Sequence, residues 1–534
     1  MGPKGCSFLI NETDPLHAFT PEDFSEEHLM IRDLARRFVT EEIVPQQDRI
    51  ERQEWDVTTA LLHRCGELGL LGIEVPEDYG GMNLDKVSAS LVAQEMSRNL
   101  SFGVTYGGQA GIGTLPIVHF GSDELKSRYL PSICRGESIT AYALSESGSA
   151  SDALAAKTIA RKSAAGHWVL RGEKVWITNA AFADLFVTFA QIDGAAFSAF
   201  AVDKNSPGVS TGPEEHKMGL KGSSTRTLLL DDVPVPAGNL LGEAGKGHRV
   251  AFGTLNTGRA KLAAMAVGAG RAAMDEAIRY AKQRTAFGKP IASYGAIQHK
   301  LAEMAIRLWV LESMVYRTAN LLYGIDPEYA LECSILKVAG SEALGYAADE
   351  AVQVFGGYGF TSDYPVERYY RDARVFRIFE GTNEIIRMLI GGLLFKRNVY
   401  SAPVSSSGTM AGARKALEFV SNLAAAKFGA GIKDQQEILM HLADMAIEIF
   451  AMDSALLRSQ KSRLEQHARM TETFTNDAWQ RLRWSGSQAI AAVSDTPMCS
   501  TNLSELDRHL RRDILDTASN RRRIAEHLLD GSAA

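Results

Sequence analysis

The segment Trp168-Val-Leu-Arg-Gly-Glu-Lys-Val-Trp-Ile-Thr178 decides how the chain divides. Its β-branched and aromatic residues, followed by Asn179, read as a strand closed by a turn signal. Leu185-Phe-Val-Thr-Phe189 and Thr227-Leu-Leu-Leu230 have the same texture, with Gly166, Pro207-Gly208 and Pro234 as punctuation. The stretch from about 140 to 240 therefore predicts a compact β domain. Outside it the period changes. From about 25 to 140, Leu29, Leu34, Phe38 and Ile43 begin an apolar helical stripe, with Ser25 as a cap before acidic Glu26-Glu27. Helical periodicity resumes near 246, runs past Arg284 without proline, and continues to about 398 with glycine breaks at Gly356-Gly357 and Gly381. Ser401–Gly408 is rich in Ser, Pro and Gly and reads as a linker; the chain is helical again from about 410 to 530. The expected division is an N-terminal tail 1–24, a helical domain 25–140, a middle β domain 141–243, a second helical domain 244–398, a linker 399–409 and a helical extension 410–534.

The composition bounds the function. With 534 residues, 45% of them hydrophobic, the chain can bury a sizeable core and form several domains. Its net charge of −7 gives no electrostatic footprint for nucleic acid. The five cysteines, Cys6, Cys65, Cys134, Cys333 and Cys499, are widely spaced and form neither a disulfide framework nor a zinc ribbon, which fits a reducing cytosol. The N-terminus lacks the apolar core of a signal peptide, and no run reaches the roughly 18 apolar residues of a membrane span. A cytoplasmic protein is expected. Histidines lack i, i+4 pairing, so no metal is expected. Gly208-Val-Ser-Thr-Gly212 matches G-x-S-x-G, but Pro207 and Pro213 bracket it where a nucleophile elbow needs a strand and a helix. Neither a dinucleotide fingerprint nor a Walker A sequence is found.

Four segments remain unusual. Tyr142-Ala-Leu-Ser-Glu-Ser-Gly-Ser-Ala-Ser-Asp152 places four serines and a glycine at the entrance to the β domain. It is either a solvated turn or a set of short hydrogen-bond donors. Trp176 and Thr178 stand two apart, on one side of a strand, where a flat cofactor could pack or a buried Trp be satisfied. Gln283-Arg-Thr-Ala-Phe-Gly-Lys289 ends a long helix with an arginine that suits the helix dipole. Lastly, Arg374-Val-Phe-Arg-Ile-Phe-Glu-Gly-Thr-Asn-Glu-Ile-Ile-Arg387 holds Glu380 between Phe379 and Gly381, just before Thr382 can cap a helix. A carboxylate among apolar side chains has its pKa pushed up, which suits a general base; a capping-region glutamate is the plainer account.

Taken in order along about residues 25 to 398, these motifs resemble the acyl-CoA dehydrogenase family, and the helical extension is similar to the very-long-chain branch. The resemblance implies a mainly α fold with a central β domain: an N-terminal helical domain, a middle β-barrel and a C-terminal four-helix bundle, plus the extension. It implies FAD as cofactor and assigns Glu380 the place of the catalytic base in Phe-Glu-Gly-Thr. The base that some members carry on the long helix is absent, because Gly258 stands before Arg259. Ser145 and Ser151 match flavin contacts, although Ser145, Ser147 and Ala150 depart from the usual threonine, proline and glycine. Trp176 and Thr178 match the pair that packs on the isoalloxazine. Arg284 and Phe287 match residues that reach the cofactor of a neighbouring subunit, where Gln353, Gly356 and Gly357 meet them; Thr382 and Glu384 match further FAD contacts. Ser151, Asn256, Arg259 and Gly381 match the acyl-CoA side, with Asn256 where aspartate is usual.

The same resemblance places Gly107, Gly108 and Gly111, with Gly113, on the helix lining the far end of the acyl cavity. Interior glycines cost a helix about 1 kcal/mol each, so either space for a long acyl chain or tight packing is needed there. The expected function is α,β-dehydrogenation of a long or very-long-chain acyl-CoA to trans-2-enoyl-CoA in fatty acid β-oxidation, by a homodimer, with electron-transferring flavoprotein as acceptor. An acyl-CoA oxidase and a flavin-containing scaffold with little turnover are the alternatives. The basic runs Arg508–Arg512 and Arg521–Arg523 read as a solvated face or a peripheral membrane contact.

Overall fold

The computed structural model describes residues 5–399, 404 and 408–531. Most of the expected linker, 400–403 and 405–407, lies outside the described residues, as do the chain ends 1–4 and 532–534.

Seven helices precede the first strand: α1 Glu26–Phe38, α2 Gln47–Glu51, α3 Trp55–Glu67, α4 Lys86–Met96, α5 Leu100–Gly107, α6 Leu115–Phe120 and α7 Asp123–Cys134. Ser25 caps α1 as its sequence position predicts. Its Oγ accepts the His28 N–H at 3.2 Å, and the His28 Nδ1 accepts the Ser25 N–H, so two donors are satisfied reciprocally. Of the expected stripe, Phe38 and Ile43 are buried and Leu29 and Leu34 only partly so; Ile31, Ala35 and Val39 complete the face, in a core with Leu62, Leu70, Val92 and Phe102.

The β domain has eight strands in one sheet: β1 Thr140–Ala143, β2 Ile159–Lys162, β3 Trp168–Thr178, β4 Leu185–Ile192, β5 Ala196–Asp203, β6 Val209–Glu214, β7 Thr225–Val235 and β8 Leu240–Leu241. The order is β6-β7-β3-β2-β4-β5-β8, with β1 paired parallel to β4. Trp168–Thr178 forms β3, a central strand antiparallel to both β7 and β2. The G-x-S-x-G stretch lies on edge strand β6.

The helices after the sheet are α8 Gly247–Gln283, α9 Gly295–Ala319, α10 Ala330–Phe355, α11 Val366–Ala373 and α12 Asn383–Lys396, and the extension adds α13 Ala411–Phe428, α14 Gln436–Lys461, α15 Glu465–Val493, α16 Thr496–His509 and α17 Thr517–Leu529. No helix among the described residues is long and apolar enough to cross a membrane.

The chain forms two compact units, one made of 25–269 with 322–327, the other of 1–24, 270–321 and 328–534. In the second, α10 packs on α9 and α12, while α14 packs on α9, α12 and α15. Buried ion pairs hold this unit together: Arg271 and Arg458 both bond Glu312, and Arg414 bonds Asp453 at 3.0 Å and the Phe8 carbonyl at 2.8 Å. The described N-terminal residues take part, with the Cys6 N–H donating to Glu332 at 2.6 Å and Lys461 to Asp23 at 2.6 Å.

The basic runs of the extension do not form one exposed face. Arg521 is buried and bonds Glu303 and Asp477, and Arg508 pairs with Glu505. The physical reason is that a guanidinium in a helix facing α9 and α15 finds carboxylates there, so only Arg522 and Arg523 of the second run face solvent.

Candidate active site

In the unit that contains the extension, the chain makes a left-handed turn where α12 begins. Glu380 has φ 57° and Gly381 φ 93°. Glycine adopts this region freely, while a glutamate must be held in it. Thr382 caps α12 as expected, its Oγ1 accepting the Ile385 N–H at 3.4 Å. Glu380 itself is half-buried beside Phe379, whose ring packs on Phe376 with centroids 5.0 Å apart. The turn is gripped from beneath. Lys337 of α10, wholly buried, donates to the Gly381 carbonyl at 2.6 Å and to the Asn383 side-chain oxygen at 2.7 Å. Glu384 is exposed on the first turn of α12.

A second group in this unit surrounds the end of α8. The helix stops at Gln283 rather than running past Arg284, because Phe287 (φ 51°) and Gly288 (φ 84°) make a two-residue left-handed turn that folds Thr285–Ala286 back on Lys289–Pro290. Phe287 at the tip is 96% exposed. Arg284 lies over the Tyr358 ring at 5.8 Å and lines a cavity of about 470 Å³ with Tyr280, Phe355, Gly356, Gly357 and Thr361. The Tyr280 and Phe355 rings stack at 4.0 Å, and Cβ atoms added to Gly356 or Gly357 would meet nothing within 4 Å. A hollow with aromatic walls, a glycine floor and a guanidinium at its edge suits a planar heteroaromatic group carrying a pyrophosphate. Gln353, expected with this group, is exposed on the last turn of α10.

In the other unit, β3 carries Trp176 and Thr178. The sheet register with β7 shifts between Lys174 and Ile177, and Trp176 sits in that bulge with φ 58° and 56% of its surface exposed. Strand alternation alone thus does not set its direction; the bulge re-aims it. Asn179 (φ 67°) follows and donates to the Thr105 and Thr140 carbonyls. The serine-rich loop reaches the same strand: the Val175 N–H donates to the Ser145 carbonyl at 2.9 Å. Ser145 is half-buried and Ser151 exposed. Beneath the loop, fully buried Lys174 donates to Glu146 at 2.6 Å and to the Leu144 carbonyl at 3.3 Å, while the Glu146 carboxylate also accepts the Lys157 and Thr158 N–H groups. Burial pushes the Glu146 carboxyl up, but Lys174 together with the hydrogen bonds from Thr158 and Lys157 outweighs this and keeps it below its ordinary range.

The glycine stretch runs from α5 into a π-helical segment, Gly108–Gly113, a feature common at functional sites. Its faces differ. A Cβ on Gly108 would be crowded, 3.0 Å from Asn179 Nδ2 and 3.3 Å from Thr178 Cγ2, whereas one on Gly107 would lie 3.7 Å from Met265 Sδ and one on Gly111 4.0 Å from Lys261 Nζ. Gly113 is a close-packing glycine, since its Cβ would fall 2.9 Å from Thr140 Cβ. Lys261 bonds Glu74, as does Lys86, in a buried cluster. Burial raises the Glu74 carboxyl, yet the two ammonium groups win and hold it at about 2. On α8, buried Arg259 donates to Asn256 at 2.9 Å, so these two expected contacts are brought together.

Family models match almost the whole described chain: the acyl-CoA dehydrogenase N-terminal domain at 25–137, the middle domain at 141–233, and two C-terminal domain models at 245–394 and 412–508. The chain belongs to the acyl-CoA dehydrogenase family. It is 44% identical to a probable acyl-CoA dehydrogenase of Bacillus subtilis over 94% of this chain and 93% of that one. The crystal structure of an acyl-CoA dehydrogenase complexed with FAD from Bacillus anthracis superposes with a TM-score of 0.96 at 44% identity, covering 99% of each chain. Relatives named for both ends of the chain-length range also match. A very long-chain specific acyl-CoA dehydrogenase of Macaca fascicularis is 36% identical over 83% of this chain and 76% of its own, and a short-chain specific one of mouse is 38% identical over 74% and 97%.

Two residues of this acyl-CoA dehydrogenase escaped the sequence reading, Lys174 and Lys337. A signal exists for Lys337, a lone lysine inside the apolar run Ile335-Leu-Lys-Val338, whereas Lys174 follows Arg171-Gly-Glu173 and carries none. A charge in such a run is either solvated or clamped on polar partners, and only the fold tells which. Among the described residues no group of three His, Cys, Asp or Glu is placed to hold a metal ion.

Proposed function

We propose that this chain is an FAD-dependent dehydrogenase of fatty acyl-CoA thioesters that forms trans-2-enoyl-CoA, with Glu380 as the base for the α-proton. The observation that carries this reading is the Glu380–Gly381 turn, a left-handed glutamate held over a buried lysine at a helix start. A base carried on a strained, clamped turn is what a proton abstraction needs, because the α-proton of a thioester is only weakly acidic and the base must be aimed at it. Bound FAD would supply the acceptor for the hydride that leaves the β-carbon.

The protein's own contributions follow from its residues. The Glu380 backbone N–H is the donor we assign to the thioester carbonyl, where negative charge develops as the proton leaves. Trp176, whose indole is exposed, and Thr178 would pack on the flavin ring, and Ser145 and Ser151, on the loop clamped by Lys174, would add donors. Arg284, with Phe287, Gln353, Gly356 and Gly357, would hold the distal part of a partner protomer's FAD, and Thr382 and Glu384 the near part. That makes a homodimer the functional assembly. Asn256, Arg259, Ser151 and Gly381 are assigned to the acyl-CoA side.

A long or very long acyl chain is the substrate we favour. The small residues Gly107, Gly108 and Gly111 leave only ordinary van der Waals neighbours on the faces of Gly107 and Gly111, and the match to the very long-chain relative covers more of this chain than the match to the short-chain one. Each methylene buried in such a channel contributes up to about 0.8 kcal/mol. Electron-transferring flavoprotein is the acceptor proposed. Anaerobic titration of the holoprotein with acyl-CoAs from four to twenty carbons, read as flavin bleaching, tests the reaction and the length preference together. No bleaching at any length would refute the dehydrogenase; an optimum at four to six carbons would refute the long-chain reading. Rapid peroxide formation in air would favour an oxidase.

A further inference from the structure

The grip on the Glu380 turn does not end at Lys337. Asn383, whose oxygen accepts from Lys337, donates through Nδ2 to Ser341 at 3.0 Å and to Glu342 at 3.1 Å. Glu342 receives both Arg387 amino groups, at 2.7 and 3.0 Å, in the bidentate geometry that fixes a guanidinium plane. The third guanidinium nitrogen, Arg387 Nε, donates to Asp444 at 2.7 Å. Asp444 belongs to α14, a helix of the extension. Backbone contact accompanies this bond: a Cβ on Gly391 of α12 would lie 2.6 Å from the Leu439 carbonyl of α14, so the two helices approach as closely as glycine allows.

We propose that the helical extension positions the base: the hydrogen-bonded chain Asp444–Arg387–Glu342–Asn383–Lys337 runs from α14 to the Gly381 carbonyl and holds the turn that presents Glu380. This rests on the reading of Glu380 as the base. All the links are charged or amide groups, and the inner ones, Lys337 and Asn383, are buried, where such bonds are electrostatically stronger than in water and lose most when one partner is removed. A turn with two successive left-handed residues, one of them not glycine, relaxes when its carbonyl clamp loosens. A displacement of about 1 Å at a reacting group is enough to cost on the order of a hundredfold in rate. Asp444, Arg387, Glu342, Asn383 and Lys337 are therefore positioning residues.

The α14 helix supplies its own control. Glu448, one turn after Asp444, also bonds an arginine bidentately, but that arginine is Arg481 of α15, and the bond leads away from α12. The test compares Asp444→Ala, Asp444→Glu, Glu448→Ala and Lys337→Met in the holoenzyme. Two readouts are used: hydrogen–deuterium exchange of the segment 376–386, and the rate of flavin bleaching at saturating acyl-CoA, with acyl-CoA affinity measured separately. Asp444→Ala should speed exchange in the segment severalfold and slow bleaching about tenfold with affinity within twofold, Lys337→Met should slow it about a hundredfold, and Asp444→Glu should recover part of the loss. Glu448→Ala should change neither readout. If Asp444→Ala and Glu448→Ala behave alike in both, the proposal is overturned, even should Lys337→Met fail to fold. If the wild type is not bleached by any acyl-CoA, the base reading fails, and exchange alone decides whether α14 holds the turn.

Discussion

Two loops of this molecule carry side chains in backbone conformations they would not adopt alone, and each rests on a buried lysine. In the β domain, Trp176 and Asn179 are left-handed, and Lys174 beneath them bonds Glu146 and the Leu144 carbonyl. At the start of α12, Glu380 is left-handed, and Lys337 bonds the Gly381 carbonyl and Asn383. The first clamp is closed: its lysine finds a carboxylate at once, and that carboxylate is completed by two backbone amides of the same domain. The second is open, passing its hydrogen bonds through an amide and two ion pairs to another helix layer. A closed clamp makes a rigid platform, which suits a surface for a flat ring. An open one lets a distant element influence the loop, which suits a reacting group whose aim must be set.

The largest effect is expected at the reacting group itself. Glu380→Gln keeps shape and loses basicity, so turnover should fall by about 10² to 10⁴ with flavin and acyl-CoA binding retained. A variant with wild-type turnover would move the base elsewhere and leave the open clamp without a purpose.

Next comes the closed clamp. Lys174→Met strands the Glu146 carboxylate in the interior, and removing one partner of a buried pair costs about 3–5 kcal/mol. The thermal midpoint of the holoprotein should drop steeply and recover in part when Glu146→Gln is added. A loss under about 1 kcal/mol would mean that the pair is not the foundation of the loop.

Acid should reach both units through buried histidines. Burial, with help from Lys86, lowers His119 to about 4, and burial, with help from Arg458, lowers His467 to about 4. In the unfolded chain each binds its proton near pH 6.5, so between about pH 6.5 and 4 the unfolded state holds more protons. Stability is therefore full above that window, falls as pH drops through it, and levels off below. The loss is on the order of 2 kcal/mol for each histidine after solvent screening. Denaturant midpoints measured at pH 7.5 and 5 should differ, and less so in His119→Phe; equal midpoints in the wild type would contradict the assignment.

The smallest effect expected is at the hairpin. Arg284→Ala should weaken FAD retention about tenfold by removing a charge-assisted contact to phosphate, with the fold intact. The flavin-to-protein ratio after gel filtration measures it. Full flavin content with a slightly lower melting temperature would make Arg284 only a helix-end cation.

Local chemistry made much of this legible. Ser25 and Thr382 were readable as caps because capping involves residues three positions apart. The β3 and β7 segments were readable from side-chain type, and Glu380 from its immediate neighbours Phe379, Gly381 and Thr382. Less local features were not. The Gln283–Lys289 segment with its glycine stop marks where the long helix ends, but its last residue, Gln283, is set by the Thr285–Pro290 cross-strand pairing. Trp176 was expected on a regular strand, and the bulge that re-aims it arises from register with β7. Arg521 sat within a basic run and turned inward to Glu303, 218 positions away.

The sequence by itself determined the order of helical and β domains, the capped helix starts, the glutamate in its apolar and glycine setting, and the resemblance that the family models bear out. These rest on periodicity, caps and turn residues, whose physics acts within a few positions. Which charges are enclosed, and what they hold, is settled by the packing: Lys174 is buried under the serine loop and Lys337 under the Glu380 turn, while partly exposed Asp444 ends that second clamp. The reason is that a buried charge is tolerated only where partners surround it in space, and the partners of Lys174 and Lys337 lie 28 and 44 positions away in the chain.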